Sequence, residues 1–515
     1  MRTVRVEQGS VTGKEIGEVH AFLGLPYAAP PVGALRWRPP APPAPWSGVR
    51  AATAFGAAAI QTAGNGRGPG LGVEQSEDCL YLNVWTPEAD GAARLPVMVW
   101  IHGGGFIGGS ASDPSFSGET LARGGVVVVS LNYRLGAFGF LTDPRTGTNF
   151  AVGDWVAALT WVADNITAFG GDPGNVTVFG QSAGAVAVRT LLSTPFARGL
   201  FHRGIIQSAG FEDYAVVASP SYERAARATQ EVFGLLGSQD PDELRQLSAE
   251  RVREASWAMA GTTAPPGQLH TPANLVWYPT VDGEVVTRDF ANWPANLPVM
   301  LGSTQDEARF FHRPDGLHGG RRGLDPAEVY TPRTLAAMAD RLGGSRADDI
   351  LAHFDDSGLT TYEALAELST SAVWHEPELA SYERFAALGR TCYSYRFARV
   401  SPSARRSGLL AFHTAELPYL FRRIAPGEEY DETDAGIGDV MRHAWTEFAR
   451  TGVPRGPDGG AWPAWDTSAP RQTVIADTVR SAALHVGPVT ELIHSLRKTP
   501  DEVTFADSPD VHPRA

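Results

Sequence analysis

Ser182 stands between two glycines in "NVTVFGQSAGAV" (residues 175–186), where the strand-forming run Val176 to Phe179 gives way to small, helix-tolerant residues. A Gly-x-Ser-x-Gly pentad at a strand-to-helix turn is a nucleophile elbow. Such a turn leaves no room for side chains at Gly180 or Gly184. It exposes the serine hydroxyl at the C-terminal edge of a sheet, beside a helix N-terminus whose dipole favours negative charge. The chemistry implied is acyl transfer by hydroxyl attack on a carbonyl. That chemistry also needs a base, a group that orients the base, and donors for the oxyanion. "VMVWIHGGGF" (97–106) offers the donors: a strand runs into His102-Gly103-Gly104-Gly105, and the N–H groups of Gly104, Gly105 and Ala183 can converge on one point. Phe106 directly follows this loop and is expected to line a substrate pocket, as is Gln181, next to the serine.

In this arrangement the acid follows the serine in the chain and the histidine follows the acid. "LPVMLGSTQDEARFF" (297–311) is a strand ending in a polar loop with Asp306 and Glu307, and spacing does not choose between them. Of the thirteen histidines, nine lie beyond that loop. His413, in "GLLAFHTAELPYLF", follows a late strand across a loop and is the favoured base. His443 falls in a helical pattern and His512 in the polar tail.

These groups need a sheet to carry them. Short apolar runs at Pro96–Ile101, Val126–Leu131, Val176–Phe179, Gly204–Gln207 and Pro298–Gly302 read as buried strands, and "TCYSYRFARV" (391–400) alternates like another. Between the second and third runs, Trp155, Ala158, Leu159, Val162 and Ile166 share one helical face, closed by Gly170-Gly171. Strand, helix, strand implies right-handed parallel crossovers and an α/β sheet. Residues 211–296 and 312–390 show helical patterns without strands between them and read as insertions over the sheet's upper edge. Residues 496–515 read as a frayed polar tail.

Composition excludes other classes. Fifty-seven acidic against 43 basic residues give a net charge of −14, which argues against a nucleic-acid surface. No apolar run approaches a membrane span, and no histidine pair has H-E-x-x-H spacing, so no metal or cofactor is expected. The glycine-dense "GNGRGPGLG" (64–72) lacks the flanking strand and helix of a phosphate cradle and reads as a loop. The N-terminal stretch alternates like a strand and has no apolar leader core. A cytoplasmic protein with two unpaired thiols, Cys79 and Cys392, acting as a monomer or weak homo-oligomer, is the expectation. Only Lys14 and Lys498 are lysines, which we read as genome composition.

Nearly the whole chain resembles the type-B carboxylesterases, the family of para-nitrobenzyl esterases and cholinesterases. "FLGLPYAAPPVGALRWRPP" (22–40), "SEDCLYLNVW" (76–85), "NYRLGAFGFL" (132–141), "FGGDPGNVTVFGQSAGA" (169–185), "PTVDG" (279–283) and "WPAW" (462–465) carry the resemblance, in order. It implies a single α/β-hydrolase domain with a large, mostly parallel sheet, and a bacterial serine esterase acting on small-molecule esters. It also implies a Ser182–His413–Glu307 triad, the family's Asp-Glu-Gly reading Asp306-Glu307-Ala308 here, and an oxyanion hole of Gly104, Gly105 and Ala183. Short-chain or aryl esters are the expected substrates. Amides or carbamates, or specialised toxin or polyester-oligomer esters, are alternatives on the same triad, and a non-catalytic binding protein is a remote one.

Four departures stand out. Gln181 replaces the usual glutamate before the serine, so a protonated His413 lacks that stabiliser. Cys79 has no upstream cysteine to bridge. A segment whose second serine supports the acid in some members reads Gln207-Ser208-Ala209-Gly210. Asp154-Trp155 replaces Asp-Gln. Besides Phe106, the aromatics Trp155, Phe211, Trp277, Phe310 and Phe311 are candidate pocket walls.

Overall fold

The computed structural model describes residues 1–62, 73–209, 222–260, 275–287, 297–312, 329–355 and 357–497. The glycine-dense loop, Phe211 and the tail from residue 498 onward lie outside these.

An 11-stranded sheet carries the architecture. Its strands are β1 (Lys14–Ile16), β2 (Val19–Pro26), β3 (Tyr81–Thr86), β4 (Leu95–Ile101), β5 (Val127–Leu131), β6 (Gly171–Gln181), β7 (Arg203–Gln207), β8 (Val299–Thr304), β9 (Cys392–Phe397), β10 (Arg471–Ile475) and β11 (Val479–Ala483). Across the sheet they run β11-β10-β9-β8-β7-β6-β4-β5-β3-β2-β1. Every pairing from β5 through β10 is parallel, while β3, β2, β1 and β11 add antiparallel edges. A smaller sheet of Thr3–Val6, Gly9–Thr12 and Val49–Ala51 forms from the alternating N-terminal sequence.

Both faces of the parallel strands are covered, which is why they read as unbroken apolar runs. Val97, Val99 and Ile101 of β4 join one core with Trp155, Leu159 and Val162 of the helix Phe150–Asn165. Met98 and Trp100 face the other, with Met441, Trp445 and Phe448 of the helix Glu432–Thr451. A buried pair fastens the sheet's top: Asp154 accepts from Arg134 Nε at 2.8 Å and Nη2 at 2.6 Å. Arg134 also donates to the carbonyls of Arg38 and Phe150. This ties the segment after β5 to the first turn of the covering helix.

Between 211 and 296, the described residues form helices Tyr222–Leu236, Pro241–Leu244 and Ala249–Ala258. Between 312 and 390 they form Pro332–Gly343, Ala347–Asp355, Thr361–Thr370 and Glu376–Ala387. A π-helical turn, Ser371–His375, joins the last two. The strand expected at 391–400 ends at Phe397. Two residues on, Arg399 turns inward to Asp434 at 2.6 Å and Asp431 at 2.7 Å, leaving the ladder for buried charge pairs. Both cysteines are free and buried, and burial pushes both thiols well above their usual range.

Candidate active site

β6 ends at Gln181 and the helix Ala183–Ser193 begins one residue after Ser182. A serine before a helix usually caps it, its hydroxyl accepting from the first turn. Ser182 does not, because at φ 57° and ψ −124° its hydroxyl is turned away from the helix. The neighbouring backbone enforces this shape. A Cβ on Gly184 would stand 2.0 Å from the carbonyl oxygen of Ile101, and one on Gly180 would stand 2.4 Å from that of Gly184. The Ser182 N–H donates to the Gln207 carbonyl at 2.9 Å, tying the turn to β7.

The loop after β4 is held as firmly. Gly104 has φ 114°, and a Cβ there would meet the Gly108 carbonyl at 2.1 Å. Tyr133 stacks on His102 at 4.5 Å and donates its hydroxyl to the His102 carbonyl at 2.9 Å. Burial lowers His102 to about 4, so this ring stays neutral. Gln61 exchanges two hydrogen bonds of 2.9 Å with the backbone of Gly109. Among the described residues, the N–H groups of Gly104, Gly105 and Ala183 donate to no protein acceptor, and all three residues line one cavity with Ser182.

On the other side, β8 delivers the acid loop. Glu307 is fully buried. Its Oε1 accepts from the Thr304 N–H at 2.8 Å, and His413 Nδ1–H donates to its Oε2 at 2.5 Å. The Ala308 N–H donates to Thr370 Oγ1 at 3.0 Å. Asp306, the other carboxylate left open by spacing, points elsewhere: it accepts from the Ala411 N–H at 3.1 Å, while its own N–H donates to the Ala411 carbonyl at 2.8 Å. It laces the acid loop to the histidine loop. The Thr304 N–H is the backbone donor to the acid, and Thr370 holds the turn that carries it.

His413 lines the same cavity as Ser182. Its ring is walled by Phe310, Phe311 and Trp374, with centroids at 5.9, 5.2 and 5.6 Å. The amide nitrogen of Gln181 lies 3.1 Å from His413 Nε2 and 3.4 Å from Nδ1. A donor on the Nε2 lone-pair axis would stand far from Nδ1, so the amide rests against the ring face. Nε2 therefore keeps its lone pair, and Ser182 Oγ has no hydrogen-bond partner among the described residues.

Behind this assembly sits Glu416, fully buried and three residues beyond His413. Its Oε1 accepts from Gln207 Nε2 at 3.1 Å, and Gln207 Oε1 accepts from Trp445 Nε1 at 3.2 Å. Burial first, then the nearby Glu307, pushes the Glu416 carboxyl up to about 8. Sequence reasoning missed this buried network. Its one signal was a glutamate facing an apolar helix start.

The cavity has a volume of about 350 Å³. Phe106, Phe310 and Phe311 line it, together with Tyr278 and Trp374, which sequence reasoning did not single out. Trp155 and Trp277 do not line it. Trp155 packs behind Phe106 with ring centroids 6.1 Å apart, and Trp277 donates its Nε1–H to the Ser256 carbonyl in the core. Among the described residues, four of the eight non-glycine residues with positive φ (Phe106, Ser182, Ser208 and Thr414) line this one cavity, a concentration of backbone strain typical of functional sites. No cluster of metal-ligating side chains is found among the described residues.

Residues 1–486 match the model of the Carboxylesterase family. The chain is 34% identical over 479 residues to a phenmedipham hydrolase of Pseudarthrobacter oxydans, covering 89% of this chain and 92% of that protein. It is 34% identical over 507 residues to a fumonisin B1 esterase of Sphingopyxis macrogoltabida, covering 94% and 88%. Among solved structures, a PNB esterase superposes with a TM-score of 0.78 at 31% identity, covering 96% of this chain and 99% of that one.

Proposed function

This chain belongs to the carboxylesterase family and is a carboxylic ester hydrolase of the α/β-hydrolase fold, and we propose that Ser182, His413 and Glu307 are its catalytic triad. Ser182 Oγ attacks the ester carbonyl while His413 Nε2 takes its proton. Glu307 fixes the Nδ1–H tautomer and stabilises the charge that develops on the ring. The free N–H groups of Gly104, Gly105 and Ala183 receive the oxyanion, each contributing on the order of 3 kcal/mol to lowering the barrier. Nε2–H then protonates the leaving alcohol, and water hydrolyses the acyl-enzyme by the same route. The observation that carries this reading is the 2.5 Å bond from His413 to Glu307, with Ser182 and three unpaired N–H groups opening on the same cavity.

A fluorophosphonate probe should label Ser182. Ser182→Ala should abolish labelling and reduce p-nitrophenyl butyrate hydrolysis by about 10⁴-fold or more. Labelling of any other residue refutes the assignment.

The cavity volume and aromatic wall favour short-chain or aryl esters, so kcat/KM across p-nitrophenyl esters should fall as the acyl chain lengthens. A second reading, carbamate hydrolysis on the same triad, is favoured by the likeness to a phenmedipham hydrolase. Turnover of an aryl carbamate at a rate rivalling its matched ester would establish it. Two free buried thiols support placement in a reducing compartment, and no helix among the described residues is long and apolar enough to cross a membrane.

A further inference from the structure

We propose that Gln181 is a positioning residue for His413. Its neutral carboxamide is the plate on which the imidazole lies, and it puts no charge against the ring face where a carboxylate in its place would. This inference rests on the triad reading above.

Gln181 is buried and is the last residue of β6, so its backbone is fixed by pairing with Gln207 on one side of the strand. The near-equal contacts of 3.1 and 3.4 Å to the two ring nitrogens place the amide over the imidazole face. The three aromatic rings close on the remaining sides. The imidazole is thus held by Glu307 at Nδ1, by the amide on its face and by an aromatic collar, and only Nε2 is left open to the cavity. The N–H dipole of an amide favours the electron-rich face of a neutral imidazole. Rotation of the same amide would turn its oxygen to an imidazolium. A carboxylate offers only the second interaction.

Other charged and titratable groups surround the ring. Glu307 binds Nδ1. Asp306 and Glu416 lie on the adjoining loops, and His375 lies behind Thr304 at 3.0 Å from its carbonyl. Arg309 is held by the Gly408 carbonyl. Asp113 and Arg422 line the cavity. None changes when residue 181 alone is exchanged, so a difference between variants at this position reports on Gln181.

The experiment is the pH dependence of kcat/KM and kcat for p-nitrophenyl acetate in the wild type, Gln181→Glu and Gln181→Met, with fluorophosphonate titration of each. In Gln181→Glu the carboxylate stabilises the protonated ring, so activity should be lost at higher pH as the solution is acidified. The acidic limb should move up by about one unit or more. In Gln181→Met, which keeps the length but not the dipole, the limb should stay near its wild-type position while kcat falls about three- to tenfold with KM unchanged. An unmoved limb in Gln181→Glu overturns the proposal, as does wild-type kcat in Gln181→Met. If Gln181→Glu does not fold, the kcat–KM split of Gln181→Met decides alone. A wild-type protein that the probe does not label at Ser182 refutes the triad reading, a result distinct from labelled variants with unchanged profiles.

Discussion

Around Ser182 the backbone is fixed by contact distances. Gly184 sits where a methyl group would overlap the Ile101 carbonyl, Gly104 where one would overlap that of Gly108, and the strands beneath are parallel and fully buried. Around His413 the chain is held by charges and hydrogen bonds between loops: Glu307 on Thr304, Asp306 on Ala411, Thr370 on Ala308 and Glu416 on Gln207. The first region tolerates no added atom. The second should tolerate any change that conserves shape and hydrogen bonding, and should answer to charge.

Gly184→Ala tests the first half most severely. The added methyl must displace the β4 carbonyl or the helix, at a cost of more than about 4 kcal/mol. The expected result is loss of the folded protein, read as a collapsed melting transition. A folded, active variant would break the contrast.

Glu307→Gln probes the second half. Shape is kept, but the amide can turn its nitrogen to the ring and fix the wrong tautomer, so kcat should fall about 10³- to 10⁴-fold. The melting temperature should change far less than in Gly184→Ala.

Glu416→Gln should have the smallest effect, and one on stability alone. Burial lifts this carboxyl from 4.5 to about 8. Across that window the folded state keeps a proton that the unfolded chain releases, so stability falls as pH rises through it. The isosteric amide removes this dependence and keeps an acceptor for Gln207. The variant should match the wild type near pH 4 and exceed it progressively in thermal melts as pH rises toward 9, with kcat little altered. Equal pH slopes for the two proteins would show that the proton is not on Glu416.

The same contrast explains what could be read from the chain. The steric half is written locally: glycines at fixed offsets from Ser182, and His102-Gly103-Gly104-Gly105 after an apolar run, require those conformations wherever they occur. The electrostatic half is assembled from β8, β9 and distant helices. Asp306 and Glu307 are adjacent on one tight turn, and which of them faces His413 depends on rotation about that turn. Resemblance to a family singled out Glu307, and the fold gives Asp306 a separate task in bonding Ala411. Aromatic walls were least legible. Trp155 and Trp277 have the composition of a pocket and the location of a core, while Trp374 reaches the cavity from a π-turn that helical periodicity does not reveal. The ends of the strands read from apolar runs were legible to within about two residues, except at the start of β6, which the ladder carries back to Gly171, and at the end of β9, where Arg399 left the sheet for its carboxylate partners.

Phe106, Ser182, Ser208 and Thr414 hold left-handed backbone conformations without being glycine, and all four face one cavity. A search for heat-tolerant variants should therefore recover glycine or asparagine at Phe106, Ser208 or Thr414, relaxing the cavity wall, and those variants should forfeit turnover in return. Gains in durability without that loss must come from surfaces remote from the cavity mouth.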